Sequence, residues 1–246
     1  MEKNVIRLAL AVFLFVISFY LSGYTFPAEL EKGLSDMLKY TPAQVTVIKT
    51  LYDDAVKNEL PEKALNLRIM EATAKKVPYA AFAKVFTSKI EKLNSAKQII
   101  GRKSNDRAYH IQLLAELMDR GMTDDEFNEF SAIADIANKK FDDVLVYAQT
   151  YVLLLENEVN RPLAKEVVIR GMKLRLMEVK LIPQLFIKAK EKNIPQKNVR
   201  EIFITGVDKK KGYLWIHRTL FGIEPEETRQ EIKEEIIIDH EREKKR

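Results

Sequence analysis

The most distinctive chemical pattern in this chain is a basic and aromatic patch near residue 210. The patch contains three consecutive lysines, two aromatic side chains, a histidine and an arginine: Lys209, Lys210, Lys211, Tyr213, Trp215, His217 and Arg218. Cations beside rings that can stack favour binding to an anionic polymer or to a partner through an aromatic anchor. The alternative interpretation is a solvated helix end in which Trp215, the only tryptophan, closes the end of the core.

The histidines and the missing cysteines bound the metal chemistry of the chain. His110, His217 and His240 lie far apart, and no Glu stands three residues before any of them. This spacing matches neither a zinc site nor a carboxylate-bridged di-iron site. With no cysteine in the chain, thiolate ligands and a cysteine nucleophile are also excluded. We therefore predict no metal and no cofactor.

Adjacent carboxylates are the remaining candidates for acid–base chemistry, at Asp53-Asp54, Asp124-Asp125 and Asp142-Asp143. Neighbouring side chains on a helix diverge by about 100°, whereas hydrolysis by a carboxylate pair needs the two groups to face each other. The second and third pairs fall where helices are predicted to begin, so helix capping explains them. No Gly-x-Ser-x-Gly, Walker or dinucleotide motif occurs. We predict no catalytic residue.

The N-terminal segment has the layout of a secretory signal peptide. Lys3 and Arg7 precede an apolar run of 14 residues, Leu8–Leu21, which is interrupted only by Ser18. A membrane-spanning helix needs about 20 apolar residues, so this run favours export followed by cleavage. An uncleaved N-terminal anchor and a buried core helix remain as alternatives. Without residues 1–27 the formal net charge falls from +5 to +4, which is too mild to require a polyanionic partner.

The elements that position these residues are predicted to be helices, because apolar residues recur at helical spacing almost throughout. Thr41 with Gln44 and Thr123 with Glu126 predict capping boxes. Further helix starts are predicted at Pro61, Pro78, Ser104, Pro162, Pro183 and Pro195. One exception is the segment 212–216, which is predicted to form a short extended piece.

Two of the predicted helices matter for later sections. In the helix after Pro61, the spacing of Leu67, Met70, Ala74 and Val77 predicts the side that faces the core. In the helix after Pro162, the apolar stripe is predicted to continue as far as Leu176.

Aliphatic–proline steps punctuate these helices, at Leu60-Pro61, Val77-Pro78 and Ile194-Pro195. Proline prevents the preceding helix from continuing, and its fixed φ suits the first turn of the next helix. At these steps the chain resembles uncharacterised exported bacterial all-helical proteins that use repeated hydrophobic–proline hairpins. The resemblance covers about residues 55–100 and 160–205. It implies no particular activity, so no functional residue is carried over.

The predicted fold is therefore all-α, with stacked helix hairpins that form either an irregular α-solenoid or a helical bundle. We expect a signal or anchor segment over residues 1–25, a helical domain over 26–222 and a charged C-terminal helix over 223–246. The tail begins with acidic residues after Pro225 and ends in Lys244, Lys245 and Arg246.

The predicted location and the missing catalytic motifs favour an exported protein of the periplasm or cell envelope that acts as a binding module and not as a catalyst. The first hypothesis is a non-enzymatic scaffold for another envelope protein or a peptide. The alternative is a cell-wall enzyme that uses one carboxylate. A nucleic acid partner is disfavoured by export, and a membrane is reached only through an uncleaved N-terminal helix.

Overall fold

The computed structural model of the chain describes residues 26–101, 104 and 106–222, and within them the protein is all-helical without a strand. The all-α prediction is therefore confirmed. The predicted N-terminal signal or anchor and the predicted C-terminal helix lie outside the described residues. Among the helices that the structure describes, none combines the length and apolarity that a membrane span requires.

The helices follow one another with short connections. In chain order they are α1 (Ala28–Lys32), α2 (Pro42–Lys57), α3 (Glu62–Lys75), α4 (Tyr79–Ile100), α5 (Arg107–Asp119), α6 (Asp124–Ile136), α7 (Phe141–Glu156), α8 (Arg161–Gly171), α9 (Leu176–Lys180), α10 (Ile182–Glu191), α11 (Gln196–Asp208) and α12 (Gly212–Phe221). A π-helical turn, Gly33–Met37, continues α1.

Helix starts follow the predicted capping chemistry at both threonines. The backbone N–H of Thr41 donates to the side chain of Gln44 at 2.9 Å, and the Thr123 N–H donates to Glu126 at the same distance. The predicted start at Ser104 is wrong, because α5 begins at Arg107. The Ser104 hydroxyl instead contacts Nδ1 of His110 at 2.5 Å, so it does not cap the helix.

The step at Leu60-Pro61 shows what an aliphatic–proline junction does. Glu59 adopts the left-handed conformation with φ 54°. The N–H of Glu59 donates to Val56 O at 2.8 Å, and the N–H of Leu60 donates to Ala55 O at 3.1 Å. This pair of bonds is a Schellman motif, which satisfies the last carbonyls of α2 and places an apolar residue against the helix end. Pro61 then precedes the first residue of α3.

The same turn recurs along the chain. A left-handed residue is followed by an N–H that reaches back five residues at Lys76, Gly121, Asn138, Glu158, Asn193 and Lys210. Five of these six residues are not glycine, although a left-handed backbone costs L-residues about 1–2 kcal/mol. An apolar residue follows in four of the six turns and a lysine in the other two, so the recurring feature is the bonding pattern, and glycine is not required.

The chain divides into two compact units, the first ending at Ala115 and the second beginning at Glu116. In the first unit, α3 packs on α1, on its π-helical continuation and on α4, while α2 packs on α4. Phe26 meets Tyr52 edge to face with ring centroids 5.0 Å apart, and a second aromatic contact joins the buried rings of Phe82 and Phe86 at 5.3 Å.

The face of α3 that enters this core differs from the predicted one. The buried residues of α3 are Ala64, Leu65, Ile69 and Ala72. The predicted stripe is wrong, because Leu67, Met70 and Ala74 are exposed. The helix carries two apolar stripes, and spacing alone does not distinguish the one that its neighbours cover.

In the second unit, α7 is the central helix and packs against α6, α8, α9 and α10. The helix α11 packs against α8, α10 and α12. The predicted continuous stripe to Leu176 is wrong, because α8 ends at Gly171 and a turn separates it from α9. The prediction of an extended segment over 212–216 is also wrong, because this segment lies in α12.

Ion pairs connect helices of the second unit that are not consecutive in the chain, α6 with α8 and α8 with α11. Partners on α6 and α8 are Glu126 with Arg161 and Glu129 with Lys165. Partners on α8 and α11 include Glu166 with Arg200 at 2.7 Å and Arg170 with Asp208 at 3.2 Å. The hydrogen-bonded pairs are 34 to 38 residues apart in sequence, which is the length of one helix hairpin in this unit.

Candidate functional site

A groove in the second unit brings part of the predicted patch together with residues from another turn. It has a volume of about 540 Å³ and lies between the turn after α8 and the turn between α11 and α12. Four cations line it, Lys173, Arg175, Lys210 and Lys211, and we call it the basic groove. Apolar and acidic side chains complete the lining: Leu174, Val207, Leu214, Glu178 and Asp208.

Glu178 holds the two turns in register. Its buried carboxylate accepts the N–H of Arg175 at 3.1 Å and the N–H of Tyr213 at 2.9 Å. The carboxylate thus caps the starts of both α9 and α12. Gly212, the first residue of α12, has φ 74°, and a Cβ at this position would lie 2.9 Å from Oε1 of Glu178. Glycine is required at this position for both reasons.

Asp208 is the other carboxylate of the basic groove, and it is already paired. Lys173 lies 3.1 Å and Arg170 lies 3.2 Å from its Oδ1. The hydrogen bond from Lys173, together with both nearby cations, lowers the pKa of Asp208 below its ordinary value. Among the described residues no carboxylate pairs with Lys210 or Lys211. These two ammonium groups are therefore the available positive charge of the groove.

The structure divides the predicted patch into an exposed and a buried part. Lys209, Lys210 and Lys211 are exposed, and the last two line the basic groove. Tyr213 and His217 are buried on the inner face of α12. Nε2 of His217 lies 3.2 Å from Nζ of Lys188 on α10, and its ring packs on Phe221 with centroids 4.7 Å apart.

Trp215 and Arg218 lie elsewhere on the same helix. The indole of Trp215 is half-buried against Gly206 of α11, where a Cβ would approach the ring to 3.0 Å. Arg218 is exposed. The lysines thus lie in the exposed turn before α12, whereas Tyr213 and His217 lie on the buried face of α12, so one ligand does not meet both on the surface described.

The second basic side of the groove was not found from the sequence. Lys173 and Arg175 follow α8 within the segment that was predicted to continue as a helix. The signal that could have found them is the cluster Arg170, Lys173 and Arg175, because cations concentrate in the last turn of a helix and beyond it.

The buried carboxylates bear on acid–base chemistry. Glu126 is buried and accepts hydrogen bonds from the Tyr151 hydroxyl, the Thr123 N–H and Arg161. Burial raises the pKa of Glu126, but these three donors outweigh burial and the net pKa is lowered. A general acid near neutral pH needs a raised pKa. Glu126 is therefore a poor proton donor and a good structural anion.

Metal binding has no obvious centre in the part of the chain that the structure describes. Within residues 26–101, 104 and 106–222, no three His, Asp or Glu side chains converge as a metal site would require.

Comparisons of the chain with protein-family models, with curated proteins and with solved structures returned no match. The basic groove consequently has to be interpreted from its own geometry.

Proposed function

We propose that this chain is an exported, non-enzymatic helical scaffold that holds an acidic segment of another envelope protein or of a peptide in the basic groove. The single observation that carries the proposal is the pair Lys210 and Lys211. Both line the groove, and among the described residues neither has a carboxylate partner. Exposed cations beside an indentation attract and orient acidic segments.

The helix packing of the second unit supports a scaffold built as a short α-solenoid. The hairpins are α6 with α7, α8 with α9 and α10, and α11 with α12. First helices meet first helices, since α8 packs on α11, and second helices meet second helices, since α7 packs on α9 and α10. Stacks of this kind present their inter-helix turns as extended binding surfaces. The basic groove lies between two such turns.

The hydrogen-bond and ion-pair partners of the carboxylates support a binding role over a catalytic one. Glu178 and Asp208, the two acids of the groove, are occupied by backbone N–H groups and by cations. Glu126 has a lowered pKa and lies in a capping and ion-pair network. None of these three carboxylates lies in the setting that single-carboxylate cleavage of a cell-wall polymer requires.

A direct test measures the binding of a fluorescein-labelled oligoglutamate peptide by fluorescence anisotropy. The groove variant carries Lys210→Glu and Lys211→Glu. The matched control carries Lys63→Glu and Lys197→Glu, two exposed lysines outside the groove. We expect the groove variant to bind about tenfold more weakly, because each exposed charge contact contributes about 0.2–1 kcal/mol. The control should bind as the wild type does.

The same three proteins can be used to capture partners from a cell-envelope extract. Proteins that bind to the wild type and the control but are lost from the groove variant would support the scaffold. Equal peptide binding by the groove variant and the control would contradict the role of the groove. An extract that yields no protein sensitive to the groove variant would contradict the scaffold proposal.

A further inference from the structure

The first unit exposes an apolar surface that is separate from the basic groove. On α3, the side chains of Leu67 and Met70 are 48% and 57% exposed, and Ala74 follows one turn later on the same side. The opposite side of α3 is buried in the core. This helix therefore has one apolar stripe that its neighbours cover and another that no described residue covers.

The exposed stripe continues onto the start of the described chain. A groove of about 450 Å³ is lined by Leu30 of α1, Met37 of the π-helical turn, and Met70 and Ala74 of α3. Met37 is 59% exposed. Gly33 lies against Thr73, where a Cβ would be 3.2 Å from the hydroxyl, so the two elements approach closely. We call the set Leu30, Met37, Leu67, Met70 and Ala74 the methionine face.

The position of this face along the chain indicates what covers it. The apolar run Leu8–Leu21 ends five residues before Phe26, where the described residues begin. Ala28, the first residue of α1, lies seven residues after Leu21, and seven residues span at most about 25 Å. If the run is held in a lipid bilayer, the start of α1 is held within that distance of the bilayer surface.

The chemistry of the face suits the same occupant. Methionine side chains are flexible and polarizable, so they adapt to an irregular apolar surface. Exposed charged side chains surround it, namely Lys32, Glu29 and Asp36 in the groove lining, with Lys39 and Lys75 next to it. An apolar face with long charged side chains at its margins can lie in the headgroup region while the charges stay in water.

We infer that the methionine face lies in the interface of a lipid bilayer, and that the chain is held there by the apolar run Leu8–Leu21. This applies to the form of the chain that retains the run, and it is independent of the proposed function of the basic groove. The first unit then rests on the membrane surface through α1 and α3, and it is not held away from the surface by a free tether.

The chain has no cysteine, so a single introduced cysteine is the only site for a thiol-reactive fluorophore. We would label Met37→Cys and Met70→Cys in the full chain, reconstituted in vesicles of phosphatidylethanolamine and phosphatidylglycerol. The matched control is Val47→Cys, which is exposed on α2 and does not line the groove. Nitroxide lipids quench fluorophores at the interface, and iodide quenches fluorophores in water.

Because an interfacial face enters the headgroup–acyl boundary by about 5–10 Å, we expect nitroxide lipids to quench the labels at 37 and 70 at least about twofold more than the label at 47. Iodide should quench the labels in the reverse order. Equal quenching at the three positions would overturn the inference. A second result would also overturn it: protection of the labels from iodide that rises with protein concentration, together with excimer fluorescence from pyrene attached at position 37. That result would mean that a second copy of the chain covers the face. If Met70→Cys does not melt cooperatively, Leu67→Cys replaces it.

Discussion

The helices α3 and α8 differ in how their polar and apolar sides are used. In α3, Glu71 pairs with Arg68 and Lys75 of the same helix. In α8, Lys165 pairs with α6, while Glu166 and Arg170 pair with α11. The helix α8 has neighbours on both sides and connects them by charge. The described ion pairs of α3 lie within the helix itself, and one of its apolar stripes is exposed.

The difference shows that the number of neighbouring helices decides which charge pairs a helix can form. A helix between two others can place each charge opposite a partner on a neighbour. A helix with one uncovered side has no such partner there, and only i, i+3 and i, i+4 pairs are available to it. Soluble monomers rarely expose large contiguous apolar patches. The uncovered side of α3 is therefore the more informative surface of the first unit.

The largest expected loss of stability comes from removing a buried carboxylate that pairs with another helix, compared with removing a more exposed one. Glu126→Ala leaves Arg161, the Tyr151 hydroxyl and the Thr123 N–H without their shared acceptor. We expect the free energy of unfolding to fall by about 2–4 kcal/mol. Glu129→Ala, one turn along α6, breaks an exposed pair and should cost less than about 1 kcal/mol. Urea unfolding followed by circular dichroism measures both.

Glu71→Ala extends the same comparison to α3. Its two partners lie on its own helix, so the loss should be about 0.5–1 kcal/mol for the two pairs together. Equal losses for Glu126→Ala and Glu71→Ala would mean that pairing between helices does not distinguish the two units.

Acid should affect the two units unequally. The described carboxylates with a lowered pKa include Glu71 in the first unit and five in the second: Glu126, Glu156, Glu158, Glu166 and Asp208. Hydrogen bonds from Lys or Arg side chains are the leading cause for each except Glu126, for which the three donors named above outweigh burial.

A carboxyl group whose pKa is lower in the folded state binds more protons when the chain unfolds. Its contribution to stability is therefore complete above the ordinary pKa near 4.5 and is lost as the pH falls through the folded pKa. We expect the amide protection factors, which are corrected for the intrinsic exchange rate, to fall more over residues 116–222 than over 26–101 between pH 5 and pH 3. Glu126→Gln should reduce the difference between the units. An equal loss of protection in both units would contradict this assignment.

The smallest effect should be the same in both units, because both use the same turn. Lys76→Gly in the first unit and Lys210→Gly in the second each relieve a left-handed lysine, with φ 52° and 53°. We expect each substitution to raise the free energy of unfolding by about 0.5–1 kcal/mol. Lys84→Gly in the interior of α4 should lower it by about 1 kcal/mol. A loss at Lys76 or Lys210 would show that the lysine side chain, and not the backbone, stabilises that turn.

Local chemistry made much of the fold predictable from sequence. The capping boxes at Thr41 and Thr123 and the helix starts next to Pro61, Pro78 and Pro195 depend on residues within one turn of each other. Only one of the two turns that line the basic groove was predicted from the sequence. Lys210 and Lys211 were named, whereas their partners across the groove belong to a turn 35 or more residues earlier.

The sequence by itself determined that the chain is helical, where most of its helices begin and that its cations cluster near residue 210, because these properties depend on neighbours along the chain. Only the tertiary structure decided which apolar stripe of α3 is covered, that Tyr213 and His217 face inward, and that Glu178 connects two distant turns into one groove. These outcomes depend on which helices pack together, and helical periodicity gives the same pattern for a covered stripe and an exposed one.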